Sequence, residues 1–443
     1  MKLLTDITPL REHPAFRRLW LGSMLSQTGS AMTNFALTLQ VWDMTRSTTA
    51  VGGLGVATLV PMLLIALPGG TLADTFDRRK LILIMTTCQT AVSGLLFAQA
   101  LIGPGPAGLW LLYALEATSS AIGAINAPAR RALIPSLVGK DQLAPAMALN
   151  RIVFQTMMIA GPALGGMIAS VSGVKGCYLV DAITFAGSFY GVGRLPAMAP
   201  KRTRDRTRGK LALSLEGLSF IRRSQVLAGA FIADVSATFF ALPLSLFPAI
   251  NAERFGGDPR ILGLMPAAIG VGGLLTAVLA GPVRHVSRQG LAMLASVGVW
   301  GLSFAVFAVA PWLWLTLLAL AMAGAADTYT VVFRGVIVQT VTPDEFLGRV
   351  NAADYVVGAG GGQLGSLEAG LVGSLTTPAI SALSGGLLTI AAAIALGAAL
   401  PGFRRYRAPA PAADPAPDPA VAPVQPAAAA STPAPASTPP ASR

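Results

Sequence analysis

Charge is what this sequence has least of. Only 12% of its 443 residues are Asp, Glu, Lys or Arg, roughly half the share in an ordinary soluble domain. The few charges are clumped, and Leu81–Leu115, Gly290–Ala326 and Ala369–Phe403 contain none. A charge-free apolar run of about 18 residues or more is a candidate to cross a membrane as a helix. Such runs make up nearly the whole chain, which excludes a soluble enzyme and a nucleic-acid binder. They also exclude a membrane β-barrel, whose strands alternate apolar and polar residues over about 10 positions.

Cysteine and histidine are almost missing, with two of each. Cys88 and Cys177 lie in or beside apolar runs, and neither belongs to a CxxC or metal-ligand spacing. Disulfide and zinc frameworks are therefore not expected. His13 and His285 are far apart in the sequence. No GxxxxGK[ST] phosphate loop is present, so the chain is not expected to hydrolyse nucleotide. No cofactor, metal or covalent chemistry is expected. The first apolar run is too long for a signal-peptide core, and no A-x-A site follows a short one, so it is expected to stay as a helix.

Turn signals break the apolar stretches into twelve spans, roughly 16–43, 48–73, 81–102, 107–129, 145–171, 176–195, 226–250, 260–283, 290–310, 312–333, 347–374 and 376–401. Pro104 and Pro106 with their glycines separate the third from the fourth, Pro311 the ninth from the tenth, and Pro378 the eleventh from the twelfth. With both termini in the cytoplasm, the cytoplasmic segments hold 27 of the 32 Lys and Arg residues, the outer loops four, and Arg151 lies within the fifth span. That asymmetry is a strong positive-inside signal. The opposite orientation reverses it.

The expected organisation is an all-α membrane protein of twelve transmembrane helices in two six-helix bundles, 1–195 and 226–403. Between them lies a basic cytoplasmic linker, 196–225. Within the linker Ser214–Arg223 reads as an amphipathic helix on the inner leaflet, with Leu215, Leu218 and Ile221 on one face. A solvated basic linker that only sets topology is an equal reading. The tail 404–443 is Pro- and Ala-rich, with 11 prolines in the 36 residues after Arg407. It cannot bury a core and is expected to be disordered. A weak repeat links the halves: Arg131 and Asp141 follow the fourth span as Arg334 and Asp344 follow the tenth, each pair 203 residues apart. The repeat is parallel, as in the two halves of major facilitator transporters.

Between the second and third spans runs Gly70-Thr-Leu-Ala-Asp74-Thr-Phe-Asp77-Arg78-Arg79-Lys80. Gly70 permits close backbone approach at a helix end. Asp74 can accept from a facing helix N-terminus, and Arg78 can pair with a carboxylate. Read alone, the loop could also be a merely topogenic basic turn. The segment resembles the G-x-L-A-D-R-x-G-R-R loop of the major facilitator superfamily, with Thr75 for Arg and Asp77 for Gly. The resemblance implies a cytoplasmic latch between the halves, carried by Gly70, Asp74, Arg78 and Arg79. The second-half counterpart, Gly281–Arg288, lacks the Asp, so a latch on one side only is expected. In the fifth span, Gly161-Pro162-Ala-Leu-Gly165-Gly166 permits close helix crossing. It looks like the GPxxGG element of exporters in this superfamily, although generic small-residue packing is the plainer reading.

Further matches are His13–Trp20, Pro128–Pro135, Asp327 with Arg334 and Gln339, and Thr342–Val350. By these the chain resembles the superfamily branch that holds enterobactin exporters and macrolide-type efflux proteins. The resemblance implies export of a drug or siderophore-like molecule. The Arg of the superfamily's fourth-helix proton-coupling pattern is absent.

Charges inside a bilayer cost about 2.5–3.5 kcal/mol even on mild scales, so they normally face a cavity or a partner. Glu116, Asp234 and Asp327 lie well inside their spans and are the candidate proton carriers. Asp327 can alternatively pair with Arg334 two turns away. Asp181, Asp354 and Glu368 lie nearer the interfaces, and the first two are read as structural. Gln27, Ser30 and Asn34 form one polar stripe on the first helix, able to line a substrate cavity or to bond a neighbouring helix. Phe239, with Phe240 and Phe247, offers an aromatic wall, or a face for lipid.

The expected function is proton-coupled export of an amphipathic small molecule by alternating access, from the inner membrane of a bacterium. The partners are substrate, protons and lipid, not nucleic acid, and the chain acts as a monomer. The alternatives are a proton-coupled uptake permease for a small metabolite and a non-transporting membrane scaffold or sensor.

Overall fold

The computed structural model describes residues 6–407 apart from 104, 106, 140, 196–209 and 280–285. For 66–75, 210–215, 279, 352, 355–357 and 359 it describes the backbone alone. Met1–Ala408 form one compact unit. The described residues are helical, with no strand. In chain order the helices are α1 (Thr8–Glu12), α2 (Pro14–Thr45), α3 (Thr48–Thr75), α4 (Arg78–Ile102), α5 (Gly108–Val138), α6 (Leu143–Ser172), α7 (Val174–Gly193) and α8 (Lys210–Arg223). The second half continues with α9 (Gln225–Phe240), a 3-10 turn (Leu244–Leu246), α10 (Phe247–Phe255), α11 (Pro259–Leu279), α12 (Gln289–Val309), α13 (Leu313–Val341), α14 (Asp344–Leu375), α15 (Pro378–Ala399) and α16 (Pro401–Arg404).

Among the described residues, nine stretches are long and apolar enough to cross a membrane. Helices α2, α7 and α14 have the length for it, with 32, 20 and 32 residues, since about 20 residues span 30 Å. Their polar residues lower their hydropathy. With α9 to α10 counted as one crossing, the spans number twelve. The outward-facing surface is apolar: Val171 and Leu375 are each 83% exposed, which suits lipid rather than water.

The seventh span is not the continuous helix expected over 226–250. Pro243 lacks an N–H and disfavours helical backbone at Leu242. The chain therefore leaves α9 at Phe240, makes the 3-10 turn, and restarts at α10 with Pro248 in its first turn. The fourth span is longer than expected. Pro128 and Pro135 lie inside α5, so the segment expected after that helix is part of it.

Within the first half α2 packs on α7, and α4 packs on both α5 and α7. In the second, α12 packs on α13 and α15, and α14 on α9. The halves meet along two crossings, α3 with α14 and α6 with α11. The linker helix α8 packs against the start of α14. Phe220 stacks on Phe346 at 4.8 Å, and Glu216 pairs with Arg349 at 2.7 Å. Ile221 is buried there while Leu218 is 44% exposed. The tail from 408 onward, linker residues 196–209 and the Leu215 side chain lie outside the described residues.

Candidate substrate cavity and its gates

A cavity of about 420 Å³ lies between the halves. Helix α2 supplies Gln27, Ser30 and Asn34 to its wall, at the three-to-four spacing that keeps side chains on one helical face. Helices α3 and α5 add Thr58 and Glu116; α6 adds Met157, Met158 and Pro162. From the second half come Leu244, Ser245, Phe247, Pro266, Gln363 and Ser366. The proline break in the seventh span is what turns Leu244 and Ser245 toward this space. Ser245 is tied there by its hydroxyl, which donates to the Ser366 carbonyl at 2.6 Å. The wall is mostly apolar with a few polar groups, the usual composition of a small-molecule site.

Phe239, expected on the wall, is not among the lining residues. Helix α9 ends one residue later, and the Phe239 ring packs edge-on against Phe240 at 5.2 Å. Phe247, beyond the break and part of the same expected wall, does line the cavity. Sequence reasoning passed over Met157, Gln363 and Ser366. Gln363 was visible as the one amide in a glycine-rich run.

Glu116 is 8% exposed. Its Oε1 accepts from the Thr58 hydroxyl at 2.7 Å, and its Oε2, also buried, has no partner among the described residues. A buried carboxylate with an orphan oxygen needs a proton, a water or a ligand to complete it. Asp234 is differently placed. Arg334 reaches across from α13 to hydrogen-bond it, and the same guanidinium lies 3.2 Å from Asp354. The pairing of Arg334 with Asp327 considered above does not form; Asp234 and Asp354 take its place. Asp327 is half-buried, with Asp234, Arg334 and Arg151 as charged neighbours.

Asp181 is not near an interface. It is fully buried and accepts from Thr33 at 2.8 Å, Ser93 at 2.7 Å and Ser30 at 3.4 Å. Arg130, on α5, donates to Ser23 and Ser188 at 2.7 and 2.5 Å and to Asn126 at 3.3 Å.

The cavity is closed at one end, where α3 and α6 meet α14 and α11. Thr48 donates to the Gly370 carbonyl at 2.8 Å, and Thr49 to Ser374 at 2.7 Å. At Gly52 and Gly55 a Cβ would come within 2.8 and 2.6 Å of the Ser366 and Gln363 carbonyls. On the other crossing Gln155 donates to the Gly270 carbonyl and Arg260 to Ser170, both at 2.9 Å. Here the Gly161–Gly166 motif faces two ways. Gly161 and Gly165 accept the close approach of Ala31 and Phe35 of α2, whereas Gly166 lies on the Pro259 carbonyl and Gly263 of α11. Small residues at these contacts are what lets the backbones touch.

The latch residues Gly70 and Asp74 lie on the backbone of α3, and their side chains are outside the described residues, as is most of Gly281–Arg288. Arg78 donates to the Ala132 carbonyl of α5 at 3.2 Å, and Arg79 to the Gly193 carbonyl at the end of α7. Both arginines thus bond within their own half.

A twelve-span helical fold with a cavity between two halves is the architecture of transporters built from two parallel six-helix repeats. The family model described as transmembrane secretion effector matches residues 4–425, and the chain belongs to that family of the major facilitator superfamily. It is 29% identical to the Enterobactin exporter EntS of Citrobacter koseri over 94% of its own length and 98% of that protein. It is 28% identical to the same-named protein of Shigella boydii over 91% and 96%. Among solved structures it resembles the nucleoside transporter NupG (D323A mutant), with a TM-score of 0.70, 14% identity and coverage of 87% and 99%. It also resembles a POT family transporter in complex with 5-aminolevulinic acid, with a TM-score of 0.70, 11% identity and coverage of 88% and 97%. The protein is a multi-pass membrane transporter, and its relatives and neighbours are transporters rather than enzymes.

Proposed function

We propose that this chain exports a siderophore-like or drug-like amphipathic molecule from the cytoplasm by proton antiport. The observation that carries the reading is the cavity between the halves, with Glu116, Gln27, Ser30 and Asn34 on its wall and glycine seams closing one end. The names of the curated relatives favour a siderophore among such molecules. The 27-to-4 division of basic residues supports cytoplasmic termini. With that orientation the closed end is the outer one, and the structure faces inward.

In this reading the bundles 1–195 and 226–403 rock about the cavity. Opening the outer end separates α3 from α14 and α6 from α11. Closing the inner end engages Asp74, Arg78 and Arg79, whose arginines are held by carbonyls of their own half in the inward-facing state. Glu116 exchanges its proton with each side in turn and couples that exchange to substrate. Asp234 and Asp327 are the second-half candidates for the same role. The unit of function is the monomer.

The test is accumulation of a cationic dye and of a catecholate siderophore in cells with and without the gene. Export predicts higher retention when the gene is deleted. Lower retention on deletion overturns export in favour of uptake. Wild-type retention of every probe, with no change when the membrane proton gradient is collapsed, removes the transport reading for those substrates. A reporter active only outside the membrane, fused after Arg407, should be silent; an active fusion reverses the orientation.

A further inference from the structure

Asp181 has no place in the mechanism above, and it is the most enclosed carboxylate of the first half. Its exposure is 0%, and no ion pair among the described residues involves it. Among the described residues its carboxylate accepts from neutral hydroxyls, those of Ser30 and Thr33 on α2 and of Ser93 on α4. Gly29 on α2 leaves the room, since a Cβ there would lie 2.7 Å from Asp181 Oδ1. The Thr184 hydroxyl, on the same helix, donates to the backbone carbonyl of Asp181 at 2.7 Å.

The three hydroxyls are not equivalent. Ser30 has a second acceptor, the Ser26 carbonyl at 3.0 Å, and Ser93 has the Gln89 carbonyl at 3.2 Å. Thr33 has only the carboxylate. Each serine owns one proton and faces two acceptors, so each has two settings. With Asp181 ionised, both hydroxyls turn to it, as the oxygen needs. With Asp181 protonated, the serines turn to their helix carbonyls, and one of them accepts the new O–H through a free lone pair. Ser30 is also a cavity residue, on the stripe with Gln27 and Asn34.

We propose that Asp181 is a proton-binding site whose state is reported to the substrate cavity by the rotation of the Ser30 hydroxyl. The proton leaves Asp181 through Ser30: Ser30 Oγ accepts from the carboxyl O–H and passes its own proton to water in the cavity, and the reverse path reloads the site. The site deepens the proton-antiport reading and rests on it for its use, but its existence is separately testable. Titratable neighbours on its own helix are Cys177 and Tyr178. Tyr178 donates to Gln40 of α2 at 2.6 Å, and Cys177 to the Gly165 carbonyl of α6 at 3.4 Å. From α2, α4 and α6 no charged side chain reaches Asp181, and the nearest carboxylate of the cavity is Glu116 on α5. The hydroxyl distances of 2.7 and 2.8 Å are direct hydrogen bonds, so a metal ion would have to spread the cluster. A proton needs no added room.

The test is a pH titration of the purified full-length protein in lipid, followed by the carboxyl C=O band in infrared difference spectra. It needs no substrate. Wild type should show a pH-dependent carboxyl band that Asp181→Asn removes and Glu116→Gln leaves in place. Ser93→Ala, which removes the 2.7 Å bond, should move its midpoint by about one pH unit, the worth of one hydrogen bond to a charged group, and Ser30→Ala, at 3.4 Å, should move it by less. These two variants carry the test if Asp181→Asn does not fold. A band that only Glu116→Gln removes belongs to Glu116. A set of carboxyl bands that Asp181→Asn leaves unchanged, or midpoints unmoved by both serine variants, overturns the proposal. So does a band that follows sodium concentration at fixed pH. Should the Asp181 band behave as expected while the efflux of dye and siderophore is independent of the proton gradient, the antiport reading falls and the site stands.

Discussion

The two halves keep their buried charges in opposite ways. In the second half the charges meet each other, with Arg334 holding Asp234 and lying against Asp354. In the first half they are kept apart: Asp181 is ringed by three hydroxyls and Arg130 by two hydroxyls and an amide. A paired carboxylate takes a proton only by breaking the pair. A carboxylate ringed by hydroxyls can be satisfied in either state by turning them. The comparison teaches that buried carboxylates are satisfied by a cation in one bundle and by hydroxyls in the other, and that only the second arrangement survives a change of protonation without breaking an ion pair.

The largest effect should come from breaking the brace. Arg334→Met leaves Asp234, 3% exposed, as an unpaired buried charge, at a cost of about 3–5 kcal/mol. The expected outcome is a large drop in melting temperature in detergent, with part of the loss recovered by adding Asp234→Asn. Arg130→Met, which frees only neutral groups, should cost about 1–2 kcal/mol. Equal losses in the two variants would erase the contrast between the halves.

Next comes the seam. Gly166→Leu drives a side chain into the backbone of α11, where even a Cβ would lie 3.2 Å from both the Arg260 and Gly263 Cα atoms. The protein should insert normally, yet dye efflux at matched protein level should fall at least tenfold, since about 1.4 kcal/mol against the closed state suffices. Efflux near wild type would make the glycine a packing residue without a part in closure.

Glu116→Gln sharpens the comparison within the first half. It fixes the neutral form while keeping the Thr58 contact. Downhill exchange of substrate should persist, and uphill efflux and its pH dependence should be lost. Unchanged uphill efflux passes the coupling role to Asp234 or Asp327, which the Asn variants test. The smallest effect should be Thr49→Ala, which removes one hydrogen bond to Ser374 at the rim. A change of under about fivefold in efflux is expected, in line with about 1 kcal/mol or less for an exposed neutral bond.

Spans and motifs were legible because they are local. The stripe Gln27, Ser30 and Asn34 was readable from helical spacing, and Gly161–Gly166 from composition. What was not legible depends on contacts between distant segments. Asp234 looked unpaired because its own helix offers no cation, while its partner Arg334 is 100 residues away. Asp181 was read as structural from its place nearer the end of its span, and the hydroxyls that surround it come from α2 and α4, 88 to 151 residues away. The break in the seventh span was printed in Pro243 and Pro248, but hydropathy alone runs across it. That break kept Phe247 on the cavity wall and took Phe239 off it.

The seams at Gly52, Gly166 and Gly263 bring main chain against main chain, while the cavity wall is made largely of side chains. Closure and recognition are thereby written in different parts of the polypeptide. A substitution at Asn34 or Met158 changes what fits inside while leaving the glycine contacts of the closed end in place. Such a scaffold can drift from one cargo to another by point changes at its wall and remain a working pump at every step. The cavity lining is accordingly the place for a randomised library, with the glycines held fixed.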